Sequence, residues 1–400
     1  MKAAQTKQRL PGLDVLRGLA VISVLFTHVH IASSTPVPVK QILGVLQHGG
    51  WVGVDLFFVL SGFLVSSLLF VEYERYGSLR AGRFLLRRGL KIYPAFYAML
   101  LVTLLYGALR WRAVTPGSFI VEALFVQNYF PFIWPHTWSL AVEEHFYLLL
   151  TVGVMILAQR GRDGHLPGRE AFRRIVPAYF VIAAFCMIAR ALTYWAATSA
   201  GKPAYFVATH LRFDELLFGV TLSYLWAFDG DRLRDFVTRH QSVLAVAVSV
   251  AVPFLFLDLN QQFTAIAGFL LLALTFGTLV LLLLVRKAPF SRLAAVIGRV
   301  GLASYSIYLW HIPWSVAVPH IMNRLGISAD AWFVPLATYL IGSLIVGMTA
   351  AAVIELPVLR LRDRLLPSRT GKPVTAQAAE AVPALSPRVD AESAAVSPAT

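Results

Sequence analysis

Ten runs of predominantly apolar residues, centred on 13–32, 51–71, 92–109, 138–158, 176–195, 211–227, 242–257, 263–285, 301–321 and 333–354, dominate the 400-residue chain. A run of about 20 such residues has one stable destination, a helix across a bilayer, because lipid offers the backbone N–H and C=O groups no partner outside the helix itself. The pattern therefore predicts an all-α membrane protein of about ten transmembrane helices bundled around a polar cavity. Composition agrees, with 58% hydrophobic and only 14% charged residues, far from the balance of a soluble enzyme domain.

The net charge of +14 reads as membrane topology rather than as a nucleic-acid footprint. Most of the 35 lysines and arginines fall in the amino tail, in the connections around 75–91, 160–174, 232–239 and 286–299, and beyond 360. The positive-inside rule places those segments, and so both termini, in the cytoplasm of a cell inner membrane. Basic residues before an apolar run look like a signal peptide, but no small-residue cleavage site follows, and a retained first helix is expected. Cys186 is the one cysteine, which leaves no disulfide framework and no cysteine metal site. Residues 1–366 form the expected transmembrane domain. The Ala/Pro/Ser/Val-rich stretch 367–400 is expected to be a disordered cytoplasmic tail. No segment is left for an extracytoplasmic soluble domain, so the chemistry is expected within the membrane and its short loops.

Ionisable residues inside spanning helices cost roughly 2.5–3.5 kcal/mol each on insertion scales, and they concentrate where a polar path is needed. In the first run Asp14, Arg17 and His28 share one helical stripe, with Arg17 and His28 about 16 Å apart along the axis at 1.5 Å per residue. Asp55 lies about one turn into the second run, followed by Ser61-Gly62, a small pair that lets a helix or ligand approach closely,. Arg87-Arg88-Gly89-Leu90-Lys91 opens the third run, and Arg88 and Lys91, one turn apart, suit a phosphorylated ligand,. Arg87 reads as an ordinary solvated cation. The fourth run carries Glu143-Glu144, about 100° apart, so that one of them faces the bundle centre,. Arg190, Arg212 and Asp214 lie at a similar depth. In the ninth run Ser304, Tyr308 and His311 share a face, and Pro313 frees the carbonyl of Leu309,. Depths counted from the loops put Arg17, Arg88 and Lys91 at the cytoplasmic side and His28, Asp55 and Glu143 near the opposite side. Such an axis suits a phosphate-rich donor that extends a thin arm to a histidine.

Several of these segments resemble the integral-membrane acyltransferase family 3: Arg17 and His28 with ten residues between them, Gly53-Val-Asp-Leu-Phe-Phe-Val-Leu-Ser-Gly-Phe63, Arg88-Gly-Leu-Lys91-Ile-Tyr-Pro, Trp138-Ser-Leu-Ala-Val-Glu143-Glu-His-Phe-Tyr, and Ser304-Tyr305 through His311-Ile-Pro. The resemblance runs over about residues 9–365 with the motifs in order. It implies ten or so helices, a cytoplasmic acyl-CoA donor and an acceptor hydroxyl, usually on a sugar of lipopolysaccharide, exopolysaccharide or peptidoglycan, or on a macrolide. It also implies that Arg17 and Arg88 bind donor phosphates and that His28 is essential. Lys91 stands where the family usually has a second arginine, keeping the charge but losing the bidentate geometry.

The expected function is O-acetyl transfer from acetyl-CoA, a donor substrate rather than a resident cofactor, to a glycan or glycolipid acceptor, with the lipid bilayer as the other partner and no nucleic acid. His28 acts as general base, and Glu143 or Asp55 orients it. Arg17, Arg88, Lys91 and Ser61 form the donor site. Arg190, Arg212, Tyr305 or His311 contacts the acceptor or stabilises the oxyanion. In the alternative mechanism His28 carries the acyl group covalently. No metal site is expected, since no histidine has ligand spacing with a second histidine or carboxylate on one face that also matches the resemblance. A secondary transporter would also explain intramembrane charge, but the chain has no inverted repeat and no paired broken helices.

Overall fold

The computed structural model describes residues 10–110, 114–164, 166–197, 207–253, 262–286, 289–328 and 331–369. Among these it is all helical, with no strand. The first half comprises α1 (Pro11–Thr27), α2 (Val37–Gly49), α3 (Val52–Tyr76), α4 (Ala81–Arg110), α5 (Pro116–Ala123), α6 (Trp138–Asp163), α7 (Gly168–Phe172) and α8 (Ile175–Ala197). The second comprises α9 (Phe213–Phe228), α10 (Gly230–Arg239), α11 (Gln241–Ala251), α12 (Phe269–Val285), α13 (Arg292–Leu302), α14 (Ser304–Arg324), α15 (Phe333–Ala350) and α16 (Leu356–Leu365).

Among the described residues, six helical stretches are long and apolar enough to cross a membrane: Val37–Tyr76, Ala81–Gly107, Pro135–Asp163, Gly168–Ala196, Thr264–Val285 and Phe333–Leu365. Counting the bent pair α13 and α14 as one gives seven, fewer than the ten runs expected. These make the chain a multi-pass membrane protein. The shortfall has local causes. The 13–32 run becomes a helix of 17 residues, because the α1 ladder ends at His28, whose backbone N–H turns back to Leu25 and whose ring bonds the carbonyl of Val24. The Ser33-Ser34-Thr35-Pro36 turn follows. The 211–227 run yields a helix of 16 residues after a short turn at Thr209–Leu211. The 242–257 run yields 11 residues in α11, and positions 254–257 lie outside the described residues, as do 370–400 of the expected tail. In the ninth run the chain bends by 73° at Ala303, so the helix begins at Ser304.

Lipid tails are as apolar as leucine, so helices in a bilayer associate through close packing and polar contacts rather than by escaping water. Glycines supply the close packing. A Cβ on Gly62 of α3 would run into the carbonyl of Leu216 on α9, and one on Gly219 would meet that of Val59. Gly18 of α1 and Gly301 of α13 make the same kind of backbone contact. The Ser61-Gly62 pair thus divides its labour: the glycine packs α3 on α9, and the serine faces the other way, toward α6.

The end of α16 straps two helices together. Arg87 of α4 bonds Asp363 at 3.0 Å and donates to the carbonyl of Leu366, and Arg83 donates to that of Pro367 at 2.5 Å. Arg369 pairs with Glu72 of α3 at 2.6 Å, and the Tyr76 hydroxyl donates to its carbonyl at 3.1 Å. Arg87, read as a solvated cation, is instead a tie.

Candidate active site

A cavity of about 730 Å³, including its open mouth, lies between α1, α3, α4, α6 and α14. Its polar lining includes Arg17, Ser61, Arg88, Lys91, Ser139, Glu143, Ser304 and Tyr305, and its apolar lining includes Val54, Phe57, Leu60 and Ile92, so the polar cavity expected from sequence is a mixed one. Arg17, Ser61, Arg88 and Lys91, the residues expected to bind the donor, meet here. The hydroxyl of Tyr147 is their common point: it donates to Glu143 Oε2 at 2.7 Å, takes a bond from Arg88 and contacts the Ser61 hydroxyl. The Arg88 guanidinium lies 4.1 Å from the centre of the Tyr147 ring and 3.7 Å from Glu143, a cation–π and ion-pair combination that fixes its direction. Lys91 feels Arg17, Arg88 and Arg362 electrostatically, with Glu355 as the opposing charge. Glu355 closes a π-helical turn, Ala351–Glu355, and accepts a bond from Ser306 at 2.7 Å. Such turns inside helices frequently mark functional sites. The adjacent acids separate as their geometry demands. Glu143 lines the cavity, while Glu144 accepts from the Tyr93 hydroxyl at 2.9 Å. Tyr305 also lines the cavity, with its hydroxyl donated to the carbonyl of Ile92 at 2.6 Å.

The wall of this cavity formed by Ser139 and Tyr308 leads to histidines. The Tyr308 hydroxyl bonds the carbonyl of His136 at 2.7 Å and meets the Ser139 hydroxyl at 2.6 Å. His136 Nε2 bonds the carbonyl of Leu309 at 3.0 Å, the group that Pro313 releases from the helix ladder. The turn holding His136 is pinned by Glu122, whose carboxylate accepts from the N–H groups of Ile133 at 3.0 Å and Trp134 at 2.9 Å and from the Thr137 hydroxyl at 2.9 Å. Burial pushes the Glu122 carboxyl up and these donors pull it back. His311 lies between His136 and His28, its ring centre 5.0 Å from each. His28 is the cap of α1, with Nδ1 bonded to the carbonyl of Val24 at 3.0 Å. In the neutral ring that bond fixes the proton on Nδ1 and leaves Nε2 as a lone pair, the form a general base needs.

The remaining expected site residues form a separate, sealed cluster. Asp55 bonds Arg212 at 2.6 Å, and Arg212 also bonds Glu215 at 3.0 Å. Arg190 grips both oxygens of Asp214, at 3.0 and 2.7 Å, and the carbonyl of Leu211 at 2.7 Å. Arg212 lies against the rings of Phe58, Trp138 and Phe269. Asp55, Arg190 and Arg212 are 0% exposed and are absent from the cavity lining. Neither Asp55 nor Glu143 bonds His28: the bonds of Asp55 go to Arg212 and those of Glu143 to Tyr147 and Arg88. His136, Tyr147 and Glu355 were not singled out in the sequence. Each gives a faint signal: His136 stands two residues before Trp138, Tyr147 one turn after Glu143, and Glu355 at the end of the last apolar run.

Comparison with known proteins supplies the lineage. The chain is 28% identical over 336 residues to the peptidoglycan O-acetyltransferase OatA of Listeria monocytogenes, covering 77% of this chain and 50% of that protein. It is 28% identical over 366 residues to the O-acetyltransferase OatA of Staphylococcus aureus, covering 85% of this chain and 55% of that protein. The chain thus spans about half the length of the curated relatives it matches. No solved structure matches it. A family model described as an acyltransferase domain matches residues 10–355, a stretch that holds the cavity, the three histidines and Glu355, and the chain belongs to that acyltransferase family.

Proposed function

We propose that the protein is an O-acetyltransferase of the inner membrane that moves an acetyl group from acetyl-CoA, entering on the cytoplasmic side, to a hydroxyl of a cell-surface or lipid-linked glycan. One observation carries the reading: the cavity is lined by Arg17, Arg88 and Lys91 and also by Tyr308 and Ser139, whose hydrogen bonds lead to the histidines. Three cations facing one lining carboxylate suit the phosphates of a CoA. The apolar part of the wall suits its extended arm. His28 takes the hydroxyl proton, the oxygen attacks the thioester carbon, and the thiolate leaves. The names of the relatives favour a glycan acceptor. Asp55, Arg190 and Arg212 hold helices together in this reading, and Glu143 positions Arg88 through Tyr147.

The test is ester formation by purified protein in lipid vesicles, supplied with labelled acetyl-CoA and peptidoglycan fragments. Wild-type protein forms ester. His28→Ala loses turnover by about 100- to 10,000-fold, the range of a general base, while still binding acetyl-CoA. Near wild-type turnover removes His28 from the mechanism, and no ester with wild-type protein counts against the function.

A further inference from the structure

The chain bends by 73° between α13 and α14, and the bend leaves the first turn of α14 as a free helix end inside the bundle. The ladder of α14 begins with the N–H of Ile307, bonded to the carbonyl of Ala303 at 2.9 Å. The N–H groups of Ser304, Tyr305 and Ser306 before it meet no acceptor among the described residues, and no side chain caps the helix. Such an end carries roughly half a positive charge. It is also held in place on three sides. Gly301 packs so closely on α1 that a Cβ there would run into the carbonyl of Asp14, three residues before Arg17. The Tyr305 hydroxyl donates to the carbonyl of Ile92 at 2.6 Å, next to Lys91, and the Ser306 hydroxyl donates to Glu355 Oε2 at 2.7 Å.

Ser304 has no such tie. It is 3% exposed, yet its hydroxyl bonds no described group, and it lines the cavity that also holds Arg17, Arg88 and Lys91. Buried hydroxyls are normally hydrogen-bonded. One that opens on a cavity, at the positive end of a helix and among three cations, is placed for an anionic oxygen. The nearby acids are engaged elsewhere: Glu355 accepts from Ser306 and is absent from the lining, and Glu143 is held by Tyr147 and Arg88. We propose that the first turn of α14 is a phosphate cradle, in which the Ser304 hydroxyl and the free N–H groups of that turn bind a phosphate of the acyl-CoA while Arg17 and Lys91 supply charge. The inference rests on the acyl-transfer reading above and gives the donor a fixed set of directed hydrogen bonds beside its flexible cations. The diphosphate and the 3′-phosphate of the donor share this chemistry.

The test is donor binding by purified protein in lipid vesicles, read by titration calorimetry alongside ester formation on peptidoglycan fragments. Ser304→Ala loses no bond within the fold. Its unfolding temperature is expected to stay at the wild-type value while acetyl-CoA binds about ten-fold more weakly, the low end for a hydrogen bond to a charged group, with kcat within about two-fold. Ser304→Asp puts a carboxylate on the helix end, which favours the helix and repels a phosphate. Its affinity is expected to fall below that of Ser304→Ala with the unfolding temperature unchanged or higher, an opposition that a structural role would not produce. With S-acetyl-pantetheine, which has no phosphate, Ser304→Ala and wild type are expected to share one kcat/KM. 3′-Dephospho-acetyl-CoA separates the two sources: a loss in Ser304→Ala that persists with it assigns the cradle to the diphosphate, and one that vanishes assigns it to the 3′-phosphate. Wild-type affinity in Ser304→Ala, or an equal loss with S-acetyl-pantetheine, overturns the inference while the wild-type ester signal keeps the acyl-transfer reading intact. No ester from wild-type protein counts against that reading instead, and acetyl-CoA affinity still decides the cradle. Should Ser304→Asp fail to fold, Ser304→Ala decides alone on the same results.

Discussion

The bundle buries two groups of charges, and they are built on opposite principles. Around Arg212 the guanidinium groups are matched by carboxylates at 2.6–3.0 Å and sealed from solvent, with side chains 0–1% exposed. Around Arg88 the pairing is loose: the Arg88–Glu143 distance is 3.7 Å with both side chains 16–18% exposed, and Glu143 is the one carboxylate among the lining residues facing Arg17, Arg88 and Lys91. The sealed cluster sets Arg190 and Arg212 against Asp214, Asp55 and Glu215, so each of its cations is paired and none is left over to bind an anion. An unmatched one beside open volume holds a standing demand for an anion. Charge inside a membrane protein therefore marks a ligand site only where cations and acids fail to balance next to a cavity.

Four substitutions put this contrast under strain. The largest effect is expected from Arg212→Met, which leaves Asp55 and Glu215 facing each other without a cation. Removing one partner of a buried pair costs about 3–5 kcal/mol, so folded yield and thermal unfolding in detergent should collapse before any kinetic constant can be compared. A stable Arg212→Met protein with impaired donor use would merge the two clusters into one site. Arg88→Ala should do the reverse, folding normally and weakening acetyl-CoA binding by about ten- to a hundred-fold, as befits a lost charge-assisted bond of roughly 1.5–3 kcal/mol. Titration calorimetry reads this directly, and unchanged affinity would take Arg88 out of the donor site. Tyr147→Phe removes only the hydroxyl that joins Arg88, Glu143 and Ser61, and a loss of about five-fold in donor affinity, near 1 kcal/mol, is expected with little change in unfolding temperature. The smallest effect belongs to Lys91→Arg, which keeps the charge and adds a planar fork. Donor KM should move by no more than about three-fold, and a larger loss would mean that the site is shaped around the lysine.

The same contrast explains what could be read before folding. Apolar length and charge placement told of a polytopic helix bundle, and motif spacing nominated Arg17, Arg88 and Lys91, which the fold brings to one cavity, because such signals are local and survive without a third dimension. Helix ends were less legible. Val29 and Ile31 extend the first apolar run, but hydrogen bonds from the backbone and ring of His28 stop the helix at Thr27. Pairings across the bundle were invisible. Asp55 and Arg212 are 157 positions apart, and nothing in either neighbourhood tells a matched acid from a catalytic one. His136 escaped for a similar reason, since its bond to Leu309 spans 173 positions. The release of that carbonyl by Pro313 was nonetheless legible, and it is the half of the contact that depends on sequence alone.

The strap at the end of α16 bears on how the protein is made. The partners of Arg83 and Arg87 arrive 284 and 279 residues later in the chain, and those of Glu72 and Tyr76 297 and 293 residues later. At about 5–20 residues per second of synthesis, α3 and α4 wait roughly a quarter of a minute to a minute for the segment that ties them. Contacts of such long sequence separation form last, because loop closure must precede any gain from them. A growing chain thus carries its cations loosely in the membrane. Once residues 363–369 are in place the ties close, so the shape of the cavity's cationic side is set late in synthesis rather than acquired gradually along it.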